Sequence, residues 1–176
     1  MIDFSRNHFE LFGLPVRYRV DRAALERAYR TLQGDVHPDR HAGAADAQKR
    51  LALQSSARVN EAYRALLDPV SRAEYLLLLR GVDATSESDS RLDVEFLTRQ
   101  LERREAAEEA ADDHDERKLA ALADAVRADA ENLQAQVERV LDADDREIAR
   151  RCVRELRFLS KLADDLDAMR AAELDR

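Results

Sequence analysis

Cysteine is almost missing from this chain: Cys152 stands alone. An intrachain disulfide is therefore excluded, as is a metal or cluster site built from several cysteines of this chain. Tryptophan is absent, and 176 residues hold only four glycines and three prolines. No run approaches the roughly 20 apolar residues of a membrane-spanning helix. The opening Met1-Ile2-Asp3-Phe4-Ser5-Arg6 lacks a basic stretch followed by an apolar one. No signal peptide is expected, and a cytoplasmic protein is the default. Positive charge is in deficit, with a net charge of -8 although 38% of residues are charged. A general nucleic-acid binder needs the opposite balance.

The scarce residues are unevenly placed. All prolines (Pro15, Pro38, Pro69) and all glycines (Gly13, Gly34, Gly43, Gly81) lie in the first 81 positions. Residues 1–80 carry 13 Lys/Arg and 10 Asp/Glu, a net of +3, whereas residues 81–176 carry 16 and 27, a net of -11. The first half reads as a domain with punctuated turns and the second as long helix. We expect a domain over 1–80, a small polar linker over 81–90 and a second domain over 91–176.

Helical periodicity fills both halves. A short helix follows the cap Asn7 and stops at Gly13. A second starts after Asp21 and aligns Leu25, Ala28, Tyr29, Leu32 and Val36 on one face. Pro38 ends it, because the residue before proline avoids helical geometry. A third runs from about Asp46 to Leu67, with Ala52, Val59, Ala62, Tyr63 and Leu66 inward. Asp68 and Pro69 open another, which ends at Gly81. Its four successive leucines, 76–79, predict a helix buried on every side. Three more helices follow, separated by acidic breaks near Asp112-Asp113 and Asp142-Ala143-Asp144. The last carries Ile148, Cys152, Leu156, Leu159, Ala163, Leu166 and Met169 on one stripe. Phe158 and Leu162 fall outside it, Phe158 about 200° round from Leu156 at 100° per residue. The fold class predicted is all-α, a helical hairpin followed by a three-helix bundle.

Between the hairpin helices lies His37-Pro38-Asp39-Arg40. The bland reading is a helix stop with a capping aspartate. His37, Asp39 and His41 also alternate as metal ligands can, which would suit a metal-dependent helical hydrolase. The remaining histidines, His8 and His114, do not repeat this His-x-Asp-x-His alternation, and no metal is assigned. Cys152, on an apolar stripe, reads as a small core residue.

The flanks favour a third reading. Ala28-Tyr29-Arg30, Asn60-Glu61-Ala62-Tyr63, Asp68-Pro69 and Arg72-Ala73-Glu74-Tyr75 surround His37-Pro38-Asp39 in a pattern that resembles a J-domain. The resemblance covers nearly all of residues 1–80. Phe9-Glu10-Leu11-Phe12-Gly13-Leu14-Pro15, Phe96-Leu97-Thr98-Arg99-Gln100-Leu101-Glu102 and Leu156-Arg157-Phe158-Leu159-Ser160 are similar to the HscB family, J-protein co-chaperones of iron–sulfur cluster assembly. The Gly/Phe-rich linker and cysteine-rich module of other J-proteins have no counterpart here.

The resemblance implies a co-chaperone with no catalytic centre, no metal and no cofactor. Its first domain would stimulate the ATPase of a DnaK-type chaperone, HscA, through His37, Pro38, Asp39 and the basic Arg22, Arg27, Arg30 and Arg40. Its second would bind the iron–sulfur scaffold protein IscU through Leu97, Leu101, Glu102, Glu105, Glu109 and Phe158. The chain departs from the family pattern at Thr98, where methionine is common, and at Gly34 and Asp35, where the helix is usually basic.

Overall fold

The computed structural model describes residues 2–36, 45–85 and 92–174. Among these there are seven helices and no strand. They fall into two compact units, Met1–Leu76 and Leu77–Arg176.

The first unit is built on a hairpin. Helix α1 (His8–Leu11) starts from a reciprocal cap: Asn7 Oδ1 accepts from the Glu10 amide and the Glu10 carboxylate accepts from the Asn7 amide, both at 3.0 Å. Helix α2 (Arg22–Val36) begins where Asp21 accepts from the Ala24 amide. Helix α3 (Asp46–Leu67) runs antiparallel to it. Tyr29 stacks on Tyr63 at 4.0 Å and donates to Asn60, while Leu32 and Val36 lie across a cleft from Leu51, Ala52 and Ser55. Of the predicted inward positions, Leu25, Val36, Ala52, Val59, Ala62 and Leu66 are buried, while Ala28, Tyr29, Leu32 and Tyr63 are half-buried. Burial of Leu25, Val36, Val59 and Leu66, at about 1.5–3 kcal/mol each, is the main term that holds a short hairpin together.

Helix α4 (Pro69–Leu79) takes its first turn from Asp68, which accepts from the Ser71 amide at 2.7 Å. Arg72 donates to the Leu66 carbonyl and lies 4.9 Å over the Tyr18 ring. Tyr75 stacks on His8 and accepts from its amide. The four leucines depart from expectation. Leu76 and Leu77 are buried, but Leu78 is 60% exposed and Leu79 is exposed beside it. Leu78 and Leu79 form the helix's last turn, so only part of its circumference is covered.

The second unit is a three-helix bundle of α5 (Val94–Asp112), α6 (Glu116–Asp142) and α7 (Arg146–Leu174). Its core is the stripe of α6 (Leu119, Val126, Val137, Leu141) against that of α7 (Cys152, Leu156, Leu159, Leu166). Leu162, read from sequence as off the stripe, is buried too, and Ile148, read as on it, is exposed. Helix α5 packs on both α6 and α7, so the covered arc of α7 is wider than a single seam. The residues α5 buries are mostly small, Ala107 and Ala110 with Gln100, which lets its backbone approach closely.

The turns between these helices close without glycine. After α5, the Asp115 amide reaches the Ala110 carbonyl and the His114 amide that of Ala111, with His114 at φ 55°. After α6, Asp145 and Asp144 make the same pair of bonds to Val140 and Leu141, with Asp144 at φ 53°. Gly13 and Gly81 serve this left-handed position after α1 and α4. A side chain there costs about 1–2 kcal/mol that glycine avoids. His114 offsets part of this by pairing with Glu173 at 2.7 Å, and Asp144 by pairing with Arg80 and Arg146.

Candidate protein-binding sites

The tip of the first unit lies between the end of α2 at Val36 and the start of α3. His37, Pro38, Asp39, Arg40 and His41 lie outside the described residues. The described residues contain no group of three or more His, Cys, Asp or Glu that could hold an ion.

Helix α2 leads to this tip and presents Arg22, Arg27 and Arg30 to solvent. Arg30 pairs with Glu26 one turn earlier at 3.0 Å. Arg22 and Arg27 have no ion-pair partner among the described residues. Exposed i,i+4 pairs are worth about 0.3–0.5 kcal/mol, so the Arg30 pair yields readily to a partner carboxylate.

The second surface is on α5 and α7. Asp93 starts α5 by accepting from the amides of Glu95 and Phe96. Leu97 is half-buried, Leu101 is 59% exposed, and Glu102, Glu105 and Glu109 are exposed. Phe158 of α7 is 36% exposed and meets Phe96 of α5 edge-to-face, with ring centroids 5.8 Å apart. Such a pair is worth about 0.5–1.5 kcal/mol beyond the area it buries. It fixes Phe158 beside the residue that precedes Leu97. Leu97 and Leu101 follow Phe96 on the same helix.

The three acidic positions are not equivalent. Glu109 pairs with Lys118 at 2.6 Å, and this hydrogen bond and charge hold its carboxyl below the usual range. Glu102 and Glu105 have no ion-pair partner among the described residues. Behind the face, burial raises the Glu155 carboxyl, and Asp93 adds to that. Burial likewise raises the thiol of Cys152, which sits in the core as expected.

Two residues of this face are not singled out by the sequence alone. Val94 is 78% exposed at the first position of α5, and Phe96 holds Phe158. Phe96 has no apolar periodicity to announce it, and Val94 falls at a boundary between linker and helix.

An antiparallel hairpin with His-Pro-Asp between its helices, followed by a separate helical bundle, defines a J-domain co-chaperone. Residues 7–75 match the DnaJ domain, and residues 92–167 match the HSCB C-terminal oligomerisation domain. The chain is 47% identical over 157 residues to the co-chaperone protein HscB homolog of Cupriavidus taiwanensis, covering 89% of each. It is 43% identical over 171 residues to that of Burkholderia vietnamiensis, covering 96% of each. The structure resembles the chaperone HscB from Vibrio cholerae, with a TM-score of 0.84 and 35% identity over 93% of this chain and 96% of that one. Against human co-chaperone protein HscB the values are 0.88 and 30%, over 95% and 83%. The chain belongs to the HscB family of J-domain co-chaperones.

Proposed function

We propose that this chain stimulates ATP hydrolysis by a DnaK-type chaperone, HscA, and delivers the iron–sulfur scaffold protein IscU to it, in the cytoplasm. The observation that carries this reading is the pairing of a J-domain hairpin with an apolar–acidic face, Leu97, Leu101 and Phe158 beside Glu102 and Glu105, on the other unit. No helix of the described residues is long and apolar enough to cross a membrane.

The mechanism needs no reacting group on this chain. Arg22, Arg27, Arg30 and Arg40 attract an acidic surface of the chaperone's ATPase domain, a rate effect that salt weakens. Asp39 then pairs with an arginine of the chaperone, its loop shaped by His37 and Pro38. This accelerates hydrolysis only by binding the hydrolysis-competent state better than the resting one. The second unit holds the scaffold meanwhile, so both reach the chaperone as one bivalent ligand.

Steady-state ATPase assays of the chaperone, with and without scaffold, test this reading. This chain should raise turnover, and the scaffold should raise it further. Asp39→Asn should abolish stimulation with an unchanged helical circular-dichroism spectrum. Full stimulation by Asp39→Asn would refute the mechanism, and absence of any scaffold effect would refute delivery.

A further inference from the structure

Val94 is the most exposed of the large apolar side chains that stand in solvent, at 78% against 59% for Leu101 and 36% for Phe158. An isolated exposed valine means little. This one is not isolated. It shares a helical face with Leu97, Thr98, Leu101 and Glu105, at i+3, i+4, i+7 and i+11. The Thr98 hydroxyl turns back to donate to the Val94 carbonyl at 2.9 Å, so its hydrogen-bonding capacity is already engaged within the helix. The line from Val94 to Leu101 is thus largely apolar, flanked by the exposed Glu95–Arg99 pair. Further along, Glu102 and Glu105 have no ion-pair partner among the described residues, while Glu108 and Glu109 pair with Arg104 and Lys118.

We propose that Val94 is a specificity-determining contact for the scaffold protein and sets the direction in which that partner docks. The inference rests on the scaffold-docking reading and adds an axis to it. The partner's complementary surface has an apolar segment seated over Val94 and Leu101. Its cationic groups lie roughly 16 Å further along α5, opposite Glu105, at 1.5 Å per residue. Charge complementarity argues for this occupant: Glu102 and Glu105, which have no ion-pair partner among the described residues, fit a basic surface. Val94 also supplies apolar area one turn before Thr98, where the family pattern commonly has methionine.

The test measures scaffold affinity of the full chain by titration calorimetry for Val94→Thr, Phe158→Ala and Glu105→Gln. Threonine keeps the shape and helix propensity of valine, so the fold should not respond. Val94→Thr should weaken binding about three- to tenfold. That loss should persist at about 0.5 M salt, where the Glu105→Gln loss shrinks. If Phe158→Ala weakens binding and Val94→Thr does not, the role of Val94 is overturned while scaffold docking stands. If neither weakens it, the docking reading fails and this inference with it. A Val94→Thr loss that vanishes at high salt would also overturn it, since an apolar contact is not screened.

Discussion

His8 is a buried imidazole in the first unit, stacked on Tyr75 at 3.9 Å with its Nδ1 unpartnered. Burial foremost, and then the Arg58 charge, depress its pKa to about 4, while Glu61 opposes the shift. A histidine lowered in the folded state stays neutral there and accepts its proton more readily unfolded. Its contribution is intact above the unfolded value near 6.5 and is lost as pH falls toward about 4. The loss reaches up to roughly 3 kcal/mol at the acid end of that window. Urea unfolding from pH 7 to pH 4 should therefore show His8→Phe falling less steeply than the parent chain. Parallel pH profiles for the two would exclude His8 as the cause. The stack follows from contact between α1 and α4, 67 positions apart, and the pKa also from α3, which carries Arg58 and Glu61; no local pattern in the sequence announces either.

At the scale of the element, Gly34 is the weak link of α2. It lies two residues from the helix end, and a Cβ built on it meets nothing within 4 Å. Its backbone is not left-handed, so glycine's freedom serves no turn here. Gly34→Ala should raise stability by about 0.5–1 kcal/mol, read from chemical denaturation. Unchanged or reduced stability would show that the glycine is used in a way the helix itself does not require. The helices themselves were legible because the stripes of α2, α3 and α7 repeat at helical spacing over many turns. The turns were legible in place but not in geometry: His114 and Asp144 adopt a conformation that glycine usually marks. Leu78 and Leu162 were misplaced for a related reason. Periodicity reports which residues are apolar, and the number of neighbours packing on a helix decides how wide a stripe is buried. Leu97, Leu101 and Phe158 were singled out through family resemblance, whereas the Phe96–Phe158 contact comes from the packing of α5 on α7 and the exposure of Val94 from its place at the start of α5.

Across the whole chain, charge is segregated: residues 1–80 sum to +3 and residues 81–176 to -11. Composition this lopsided acts on partner choice as well as on solubility. In the proposed handover, an acidic chaperone surface is attracted by α2 and repelled by the bundle, and a basic scaffold surface the reverse. Each partner is thereby steered from the wrong unit as well as toward the right one, since specificity is a difference between two affinities. The two steps should respond differently to salt. Chaperone encounter rests on exposed arginines, so its association rate should fall about tenfold or more between 0.05 and 0.5 M salt. Scaffold binding keeps the apolar contacts of Leu101 and Phe158, so its dissociation rate should change little over the same range. Stopped-flow measurements with each partner separately would read both rates. A chaperone association rate indifferent to salt would refute steering by α2, and scaffold release that accelerates in step with ionic strength would mean that the glutamates, and not the apolar face, hold that partner.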